Sequence, residues 1–371
     1  MDGMQGQSHP WPKRPYLALG LMSGTSMDGV DAALLWTDGE TIAEPQGFVF
    51  RPYPPVFRAS LAAALLAPEA KAPALEAALT DHHAETVREL LAATGTLAEQ
   101  VALIGFHGHT VLHRPAERRT WQLGNPQRLA DTDAIPVAAD FRSADVAAGG
   151  EGAPLAPIYH MALAADAQKP CVFLNLGGVA NVTWIGSDEE GLLAFDTGPA
   201  NMLLDEWALR HTGRPVDTGG ALARAGQVDN DALAAMMAAP YFKRRPPKSL
   251  DRLDFGLDAV AHLSAADGAA TLVAFTAASI AAAQVHMPAL PKVWIVGGGG
   301  RHNPMVMAAL REHLSAPVQP AEAWAINGDA LEAEAFAYLA VRTARGLPIS
   351  FPGTTGAPSP LSGGKMFLPR W

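Results

Sequence analysis

Hydrophobic positions along this chain fall into short runs of strand length and longer stretches with helical spacing. The first run, residues 17–21, enters a turn of small polar residues, Ser23-Gly24-Thr25-Ser26, and a second run, residues 30–36, leaves it after Asp28-Gly29. Apolar runs on either side of a Gly/Ser/Thr turn predict a β-hairpin. Ala-rich stretches at 58–67 and 74–93 predict helices, residues 101–106 a strand, and residues 131–139 are strand-like at their end. A Gly-rich loop at 147–154 and a helix over 157–165, with a proline at its first position, lead to a second unit. That unit begins as the first does, with strand 171–176, the turn Gly177-Gly178 and strand 179–185. Beyond it the pattern predicts strands at 192–195 and 293–296, helices at 203–210, 229–238, 269–285 and 329–340, glycines at 297–300, and a helix starting near Pro304. Strand-like runs alternating with helices give an α/β architecture. A hairpin at the head of each half predicts a duplicated plan: a flexible N-terminus over 1–14, an N-terminal α/β domain over 15–155, and a C-terminal α/β domain over 156–371 whose final segment returns toward the first.

Size supports that division, because 371 residues exceed the length at which a single core keeps growing, and a cleft between two domains is expected. Hydrophobic residues make up 49% of the chain, yet the mean hydropathy is only +0.08. No uninterrupted apolar run approaches the length of a membrane span, so no membrane partner is expected. A formal charge of -10 argues against nucleic acid as a partner, since that requires clustered Lys and Arg. An anionic ligand must therefore meet local donors and a cation. The single cysteine, Cys171, excludes an internal disulfide and a thiolate metal cluster, and its setting in Pro170-Cys171-Val172-Phe173-Leu174 is that of a buried strand. The first fourteen residues are polar and lack an apolar core, which predicts neither signal peptide nor anchor and hence a cytoplasmic location.

The hairpin tips carry the candidate chemistry. At the first, Gly24 and Gly29 permit close approach of a ligand to backbone, Ser23, Thr25 and Ser26 offer hydroxyl and amide donors, and Asp28 or Asp31 could hold a metal ion. These are the parts of a phosphate and magnesium site; a plain tight turn is the alternative. Asp196, at the predicted end of strand 192–195, is placed where α/β clefts hold ligands, or it forms an Asx-turn or helix cap. Asp140-Phe141-Arg142 follows a strand, so Asp140 competes with Asp196 as a base and Arg142 can fork onto a carboxylate; an ion pair between Asp140 and Arg142 is the other reading. His107 beside Gly108 suits sugar hydroxyls or a structural bond to backbone. Glu332 either reaches the cleft or lies on a solvated helix face. No G-x-x-x-x-G-K-[ST] phosphate loop occurs.

Gly20-Leu21-Met22-Ser23-Gly24-Thr25-Ser26-Met27-Asp28-Gly29 resembles the opening signature of the anhydro-N-acetylmuramic acid kinases, members of the sugar kinase, Hsp70 and actin superfamily. The resemblance continues through Gly105-Phe106-His107-Gly108-His109-Thr110, Gln122-Leu123-Gly124-Asn125, Asp140-Phe141-Arg142 and Gly149-Gly150-Glu151-Gly152-Ala153-Pro154-Leu155. It resumes at Asn175-Leu176-Gly177-Gly178-Val179-Ala180-Asn181, Phe195-Asp196-Thr197-Gly198-Pro199-Ala200-Asn201 and Gly297-Gly298-Gly299-Gly300-Arg301-His302-Asn303. His109 stands where the family usually has Gln, Glu151 where it has Gln, and Ala200 where it has Gly. The first two bear on hydrogen bonding to the sugar, and Ala200 implies a backbone with no need of positive φ.

The resemblance implies a two-domain sugar kinase/Hsp70/actin-like fold with an inter-domain active-site cleft. It implies an enzyme that uses ATP and Mg2+ to open the 1,6-anhydro bridge of anhydro-N-acetylmuramic acid with water and to phosphorylate O6, giving N-acetylmuramic acid 6-phosphate and ADP in peptidoglycan recycling. A carboxylate base, Asp196 or Asp140, is expected for the water. The nucleotide and its metal fall to Ser23, Gly24, Thr25, Ser26, Asp28 and Gly29 at the first hairpin, with Asp28 on the metal. Asn175, Gly177, Gly178 and Asn181 match the second phosphate hairpin, and Gly297, Gly298, Gly299 and Asn303 the adenosine motif, with Asn303 capping a helix. His107, Gly108, Arg142 and Glu332 are the sugar contacts, and the family suggests a homodimer. The rival readings are another sugar or acetate kinase of the superfamily, and an Hsp70-like or actin-like binding ATPase.

Overall fold

The computed structural model describes residues 11–24, 27–66, 72–187, 191–250 and 254–370. Thr25 and Ser26, assigned above to the first hairpin, lie outside the described residues. The chain divides into two compact units: unit 1 comprises Met1–Ala162, Glu332–Pro352 and Ala357–Trp371, and unit 2 comprises Leu163–Leu331 and Gly353–Gly356.

Unit 1 is built on β1 (Tyr16–Ser23), β2 (Gly29–Thr37), β3 (Ala43–Pro52), β4 (Leu103–Arg114), β5 (Arg119–Leu123) and β6 (Val137–Ala139). Unit 2 is built on β7 (Cys171–Leu176), β8 (Val179–Ile185), β9 (Leu192–Pro199), β10 (Trp294–Gly297) and β11 (Val318–Pro320). Near the C-terminus β12 (Pro348–Ser350) pairs with β13 (Leu361–Ser362), and β14 (Lys365–Phe367) joins the sheet of unit 1 against β6. The strand order is β14-β6-β4-β1-β2-β3 in one sheet, with β5 on β4, and β11-β10-β7-β8-β9 in the other. Each unit therefore repeats one plan: an antiparallel meander of three strands, with parallel strands added on the free side of the first. The two predicted hairpins are the first two strands of these meanders, and the α/β fold class holds.

Burial follows from position in the sheet. β1 sits between β2 and β4, and Ala18, Leu19 and Leu21 are fully buried, because a strand covered on both faces must be apolar throughout. β3 lies at the edge and keeps much of its length in solvent. The unit 2 core gathers Val172, Leu174, Phe195, Trp207, Phe275 and Trp294 around the helix Ala265–Ala283. By length and composition the stretch Ala265–His286 reaches the range of a membrane span, contrary to the expectation from uninterrupted runs. Ala269, Ala270, Ala274, Ala277 and Ala283, with Leu272, Val273, Phe275 and Ile280, are instead packed inside unit 2, where small side chains let neighbouring helices approach.

The tightest constraint in unit 1 is a pair of glycines. Gly20 on β1 stands beside Gly105 on β4 in register. A Cβ at Gly20 would fall on the Ala333 carbonyl oxygen, and one at Gly105 on the Phe336 carbonyl oxygen. The helix Leu331–Ala344 thus lies with its backbone directly on the sheet, at a spot that admits no side chain. Gly105→Ala should cost about 1–3 kcal/mol or more through forced displacement of this helix, read as a lowered denaturant midpoint with an unchanged slope. A variant as stable as the parent would show that the helix is free to retreat.

Candidate functional site

In unit 2 the predicted polar residues converge on one cross-strand row. Gly297 on β10 pairs with Asn175 on β7, Asn175 with Asn181 on β8, and Asn181 with Asp196 on β9. Residues directly opposite in adjacent strands share a face, so Asn175, Asn181 and Asp196 stand side by side. Asp196 does not end its strand, as the sequence suggested. A bulge opposite Ala180/Asn181 shifts the register by one residue, Ala180 pairs with Gly198 and Val179 with Pro199, and β9 runs four residues beyond Phe195 to Pro199, close before the helix Asn201–Thr212. Asp196 is also neither an Asx-turn nor a helix cap: its Oδ2 accepts from Leu250 N–H at 2.9 Å.

Around Asp196 the chain closes from several sides. Its N–H donates to the Lys248 carbonyl at 3.1 Å, and its carbonyl accepts the Tyr241 hydroxyl at 2.7 Å. Burial pushes its carboxyl up to about 6, against the opposing pull of the Leu250 N–H and the Lys248 ammonium. A half-buried carboxylate with a pKa near neutrality can accept a proton from water and yet be ionised at pH 7.

The Gly177-Gly178 turn is fixed to the start of the next helix. Asn201 N–H donates to the Gly177 carbonyl, and Ala200 and Met202 N–H donate to that of Gly178. Ala200 has φ −116°, in agreement with a position that does not demand glycine. On β10's side, a Cβ at Gly298 would strike Asn175 and the Leu176 backbone, whereas one at Gly299 would point into open space. Asn303 Oδ1 accepts Met305 N–H at 3.0 Å and caps the helix Pro304–His313, as expected. Sequence reasoning gave Arg301 no role, yet its buried guanidinium braces the glycine turn: it donates to the Gly298 carbonyl at 2.9 Å and pairs with Glu322 at 2.6 Å and Asp329 at 2.7 Å. Its location immediately after four glycines was the available signal.

In unit 1 the first hairpin is tied down from within. Ser23, 1% exposed, accepts the Tyr53 hydroxyl at 2.9 Å and shares a 3.0 Å hydrogen bond with His109 Nδ1, its cross-strand neighbour. His109 therefore serves Ser23 and is fully buried, and burial holds its imidazole down at about 4, hence neutral. Gly24 accepts from Met27 N–H at 3.1 Å across the tip, and Met27 takes φ 56°. Asp28 is exposed at the tip and its Oδ1 accepts Gly29 N–H at 3.0 Å. Gly29 itself is required by packing, since a Cβ there would meet the Arg51 carbonyl and the Phe50 ring.

A second cluster in unit 1 joins His107, Arg142 and Glu332. His107 Nδ1–H donates to the Gly108 carbonyl at 2.8 Å, leaving Nε2 to accept from Arg142 Nε at 3.1 Å and Nη2 at 2.9 Å. Burial and the adjacent guanidinium hold His107 well below its ordinary value, which fixes this neutral tautomer. Arg142 Nη1 donates to the Gly152 carbonyl at 2.7 Å, so one N–H on each Nη remains for a ligand. Burial lowers Arg142 to about 10, still cationic at pH 7, while Glu332 and Asp145 hold it up. Glu332, in the first turn of Leu331–Ala344, keeps contact with solvent. Desolvation nevertheless raises its carboxyl, Arg142 draws it back down, and Asp28 pushes it up. Asp140 stands apart from this cluster. It occupies left-handed backbone at φ 58° and pairs with Lys365 at 2.7 Å, so the anticipated Asp140–Arg142 ion pair is replaced by one across β6 and β14.

Comparison with known proteins accords with this geometry. The family model "Anhydro-N-acetylmuramic acid kinase" matches residues 16–369. Curated relatives bearing that name include one from Paramagnetospirillum magneticum, 56% identical over 356 residues, covering 95% of this chain and 100% of the relative. Another, from Rhizorhabdus wittichii, is 53% identical over 361 residues, covering 95% and 99%. A third, from Acidiphilium cryptum, is 52% identical over 361 residues, covering 95% and 98%. The match spans both glycine-bearing hairpins, the Asp196 row and the His107–Arg142 cluster, and the chain belongs to the anhydro-N-acetylmuramic acid kinase family.

Proposed function

We propose that this kinase uses Asp196 as the base that activates water for opening of the 1,6-anhydro bridge of anhydro-N-acetylmuramic acid, coupled to phosphorylation of O6 by ATP. The observation that supports Asp196 over Asp140 is its place in the Asn175–Asn181–Asp196 row with a carboxyl near neutrality, while Asp140 is held by Lys365. Asp196 takes a proton from water as the water oxygen bonds to C1. The C1 bond to the bridging oxygen breaks, that oxygen becomes O6 and takes the γ-phosphoryl group, and ADP departs. The free N–H groups of Arg142 suit the substrate's lactyl carboxylate, a planar anion matched to a guanidinium fork. His107, Gly108 and Glu332 are assigned to the sugar hydroxyls.

For the nucleotide, Ser23, Gly24, Thr25, Ser26, Asp28 and Gly29 are assigned to one phosphate hairpin and Asn175, Gly177, Gly178 and Asn181 to the other. Gly297, Gly298, Gly299 and Asn303 are assigned to adenosine. Among the described residues no group of three or more metal-ligating side chains occurs. Magnesium fits that sparse donor set, because it keeps several waters and takes one or two protein carboxylates. Asp28 would hold it, and the metal supplies charge neutralisation on the phosphates. A homodimer and a cytoplasmic location complete the proposal, on the strength of the family resemblance.

Asp196→Asn is expected to bind ATP as the parent does while turnover falls by about 10²–10⁴-fold, measured by coupled ADP release with the anhydro sugar. Turnover close to that of the parent would shift the assignment to Asp140. Because the folded-state carboxyl is raised, the native state binds the proton more tightly than the unfolded chain, and stability is lost as pH rises from about 4 to about 6. The Asn variant should therefore melt higher than the parent at pH 7.5 and equally at pH 4.

Asp28→Ala is expected to lower turnover by about tenfold or more at limiting magnesium, with partial recovery at high magnesium and unchanged binding of the free sugar by calorimetry. An unaltered magnesium dependence would remove Asp28 from the metal site.

A further inference from the structure

Lys248 has no part in the mechanism above, yet it is a buried cation beside the proposed base. It is 5% exposed. Its Nζ donates to the Tyr241 carbonyl at 3.4 Å, the long limit of a hydrogen bond, and otherwise faces the Tyr241 ring at 4.5 Å and the Phe195 ring at 5.7 Å. Among the described residues no carboxylate lies within ion-pair distance of it. An ammonium buried without a counter-ion is costly, and ring faces recover only part of its lost hydration. The same segment holds Asp196 through backbone: the Lys248 carbonyl takes Asp196 N–H, and Leu250 N–H reaches Asp196 Oδ2. The Lys248–Leu250 segment is thus hydrogen-bonded to the strand position that carries Asp196.

We propose that Lys248 is a positioning residue for the reaction, whose buried ammonium keeps the Asp196 carboxylate ionised at working pH while its carbonyl holds the Asp196 backbone. The proposal rests on the reading of Asp196 as base. The other groups near this pair are arranged consistently. Tyr241 is neutral, its hydroxyl raised by burial and by Asp196. Arg244 stands over the outer face of the Tyr241 ring at 5.5 Å and, after burial, is the next cause lowering Lys248 to about 8, which Asp196 opposes. Asp254 acts on Tyr241, and His286, edge-on to Phe195 at 5.7 Å, is lowered by burial, Lys248 and Arg245. Lys248 is the cation that acts on Asp196 directly.

The test compares Lys248→Met, Lys248→Gln and Lys248→Arg in the full chain. For Met or Gln, the rising limb of the kcat/KM–pH profile should move up by about one pH unit, leaving activity about threefold low at pH 6.5, about tenfold low at pH 5, and largely recovered by pH 8.5. Arg, which keeps the charge, should leave the limb in place. A limb unmoved in the neutral variants, or moved equally in the Arg variant, overturns the proposal, as does a result in which the Arg variant folds and both neutral ones do not. A readout free of turnover accompanies it: the pH at which the melting difference between each background and its Asp196→Asn partner levels off reports the folded-state Asp196 carboxyl, and it should rise in Lys248→Met. If that coupling appears while Asp196→Asn retains turnover, the electrostatic inference stands and the base assignment falls.

Discussion

Contact between the helix Leu331–Ala344 and the bare backbone at Gly20 and Gly105 is the constraint on which unit 1 is organised. A helix resting on side chains sits 8–10 Å or so from its support, whereas here the carbonyls of Ala333 and Phe336 lie where a Cβ would be. The same approach fixes where the helix begins, and Glu332 is in its first turn. Glu332 therefore meets the electrostatic influence of Arg142 from the segment after β6 and of Asp28 from the hairpin tip, three groups far apart in sequence. Buried Tyr159 adds a second hold, donating to Glu334 at 2.6 Å. A glycine on a strand reads as a weakness in β-propensity; here it sets the height of a helix that carries a charged group.

The two units share a strand plan but handle polar groups differently. In unit 1 the strand ends are tied internally: Tyr53 donates to Ser23, Ser23 bonds His109 Nδ1, and His107 is saturated by Gly108 and Arg142. Polar atoms buried in this way rigidify their surroundings, because leaving any one of them unmatched costs the full desolvation penalty. In unit 2 the row Asn175, Asn181 and Asp196 lies across consecutive strands and stays half-buried. There the sheet itself orients the side chains, which remain available to a ligand.

Much of this was legible in the chain. Strands 171–176 and 179–185 begin and end where predicted, because an apolar run punctuated by two glycines has few other options. Asn303 as a cap was equally local. What escaped were features made by pairing at a distance. β4 continues to Arg114 beyond its predicted end, since β5 returns along it and Gly108, at φ 72°, lets the strand pass through a sharp irregularity. β9 passes Asp196 because Thr197, one residue of β9 left without a partner on β8, absorbs the offset. The partners of Arg142, Ser23 and Asp140 depend on registers that no window of sequence contains. Lys248 follows consecutive prolines in what reads as a solvated loop, and only the fold reveals its burial.

The departures from the family pattern gain a physical meaning in this light. His109 was expected to bear on the sugar, but its Nδ1 is committed to Ser23 and the ring is sealed from solvent. Its effect must therefore pass through the hairpin, by holding the Ser23 hydroxyl and, with it, the Tyr53 hydroxyl. A neutral imidazole is suited to this because burial keeps it uncharged across the physiological range, so the hairpin's internal bonding does not change with pH. Asp196 in unit 2 is treated oppositely, being left close enough to neutrality to exchange a proton. Burial disfavours the charged form in both cases, so it drives the imidazole of His109 down, out of the physiological range, and the carboxyl of Asp196 up, toward it.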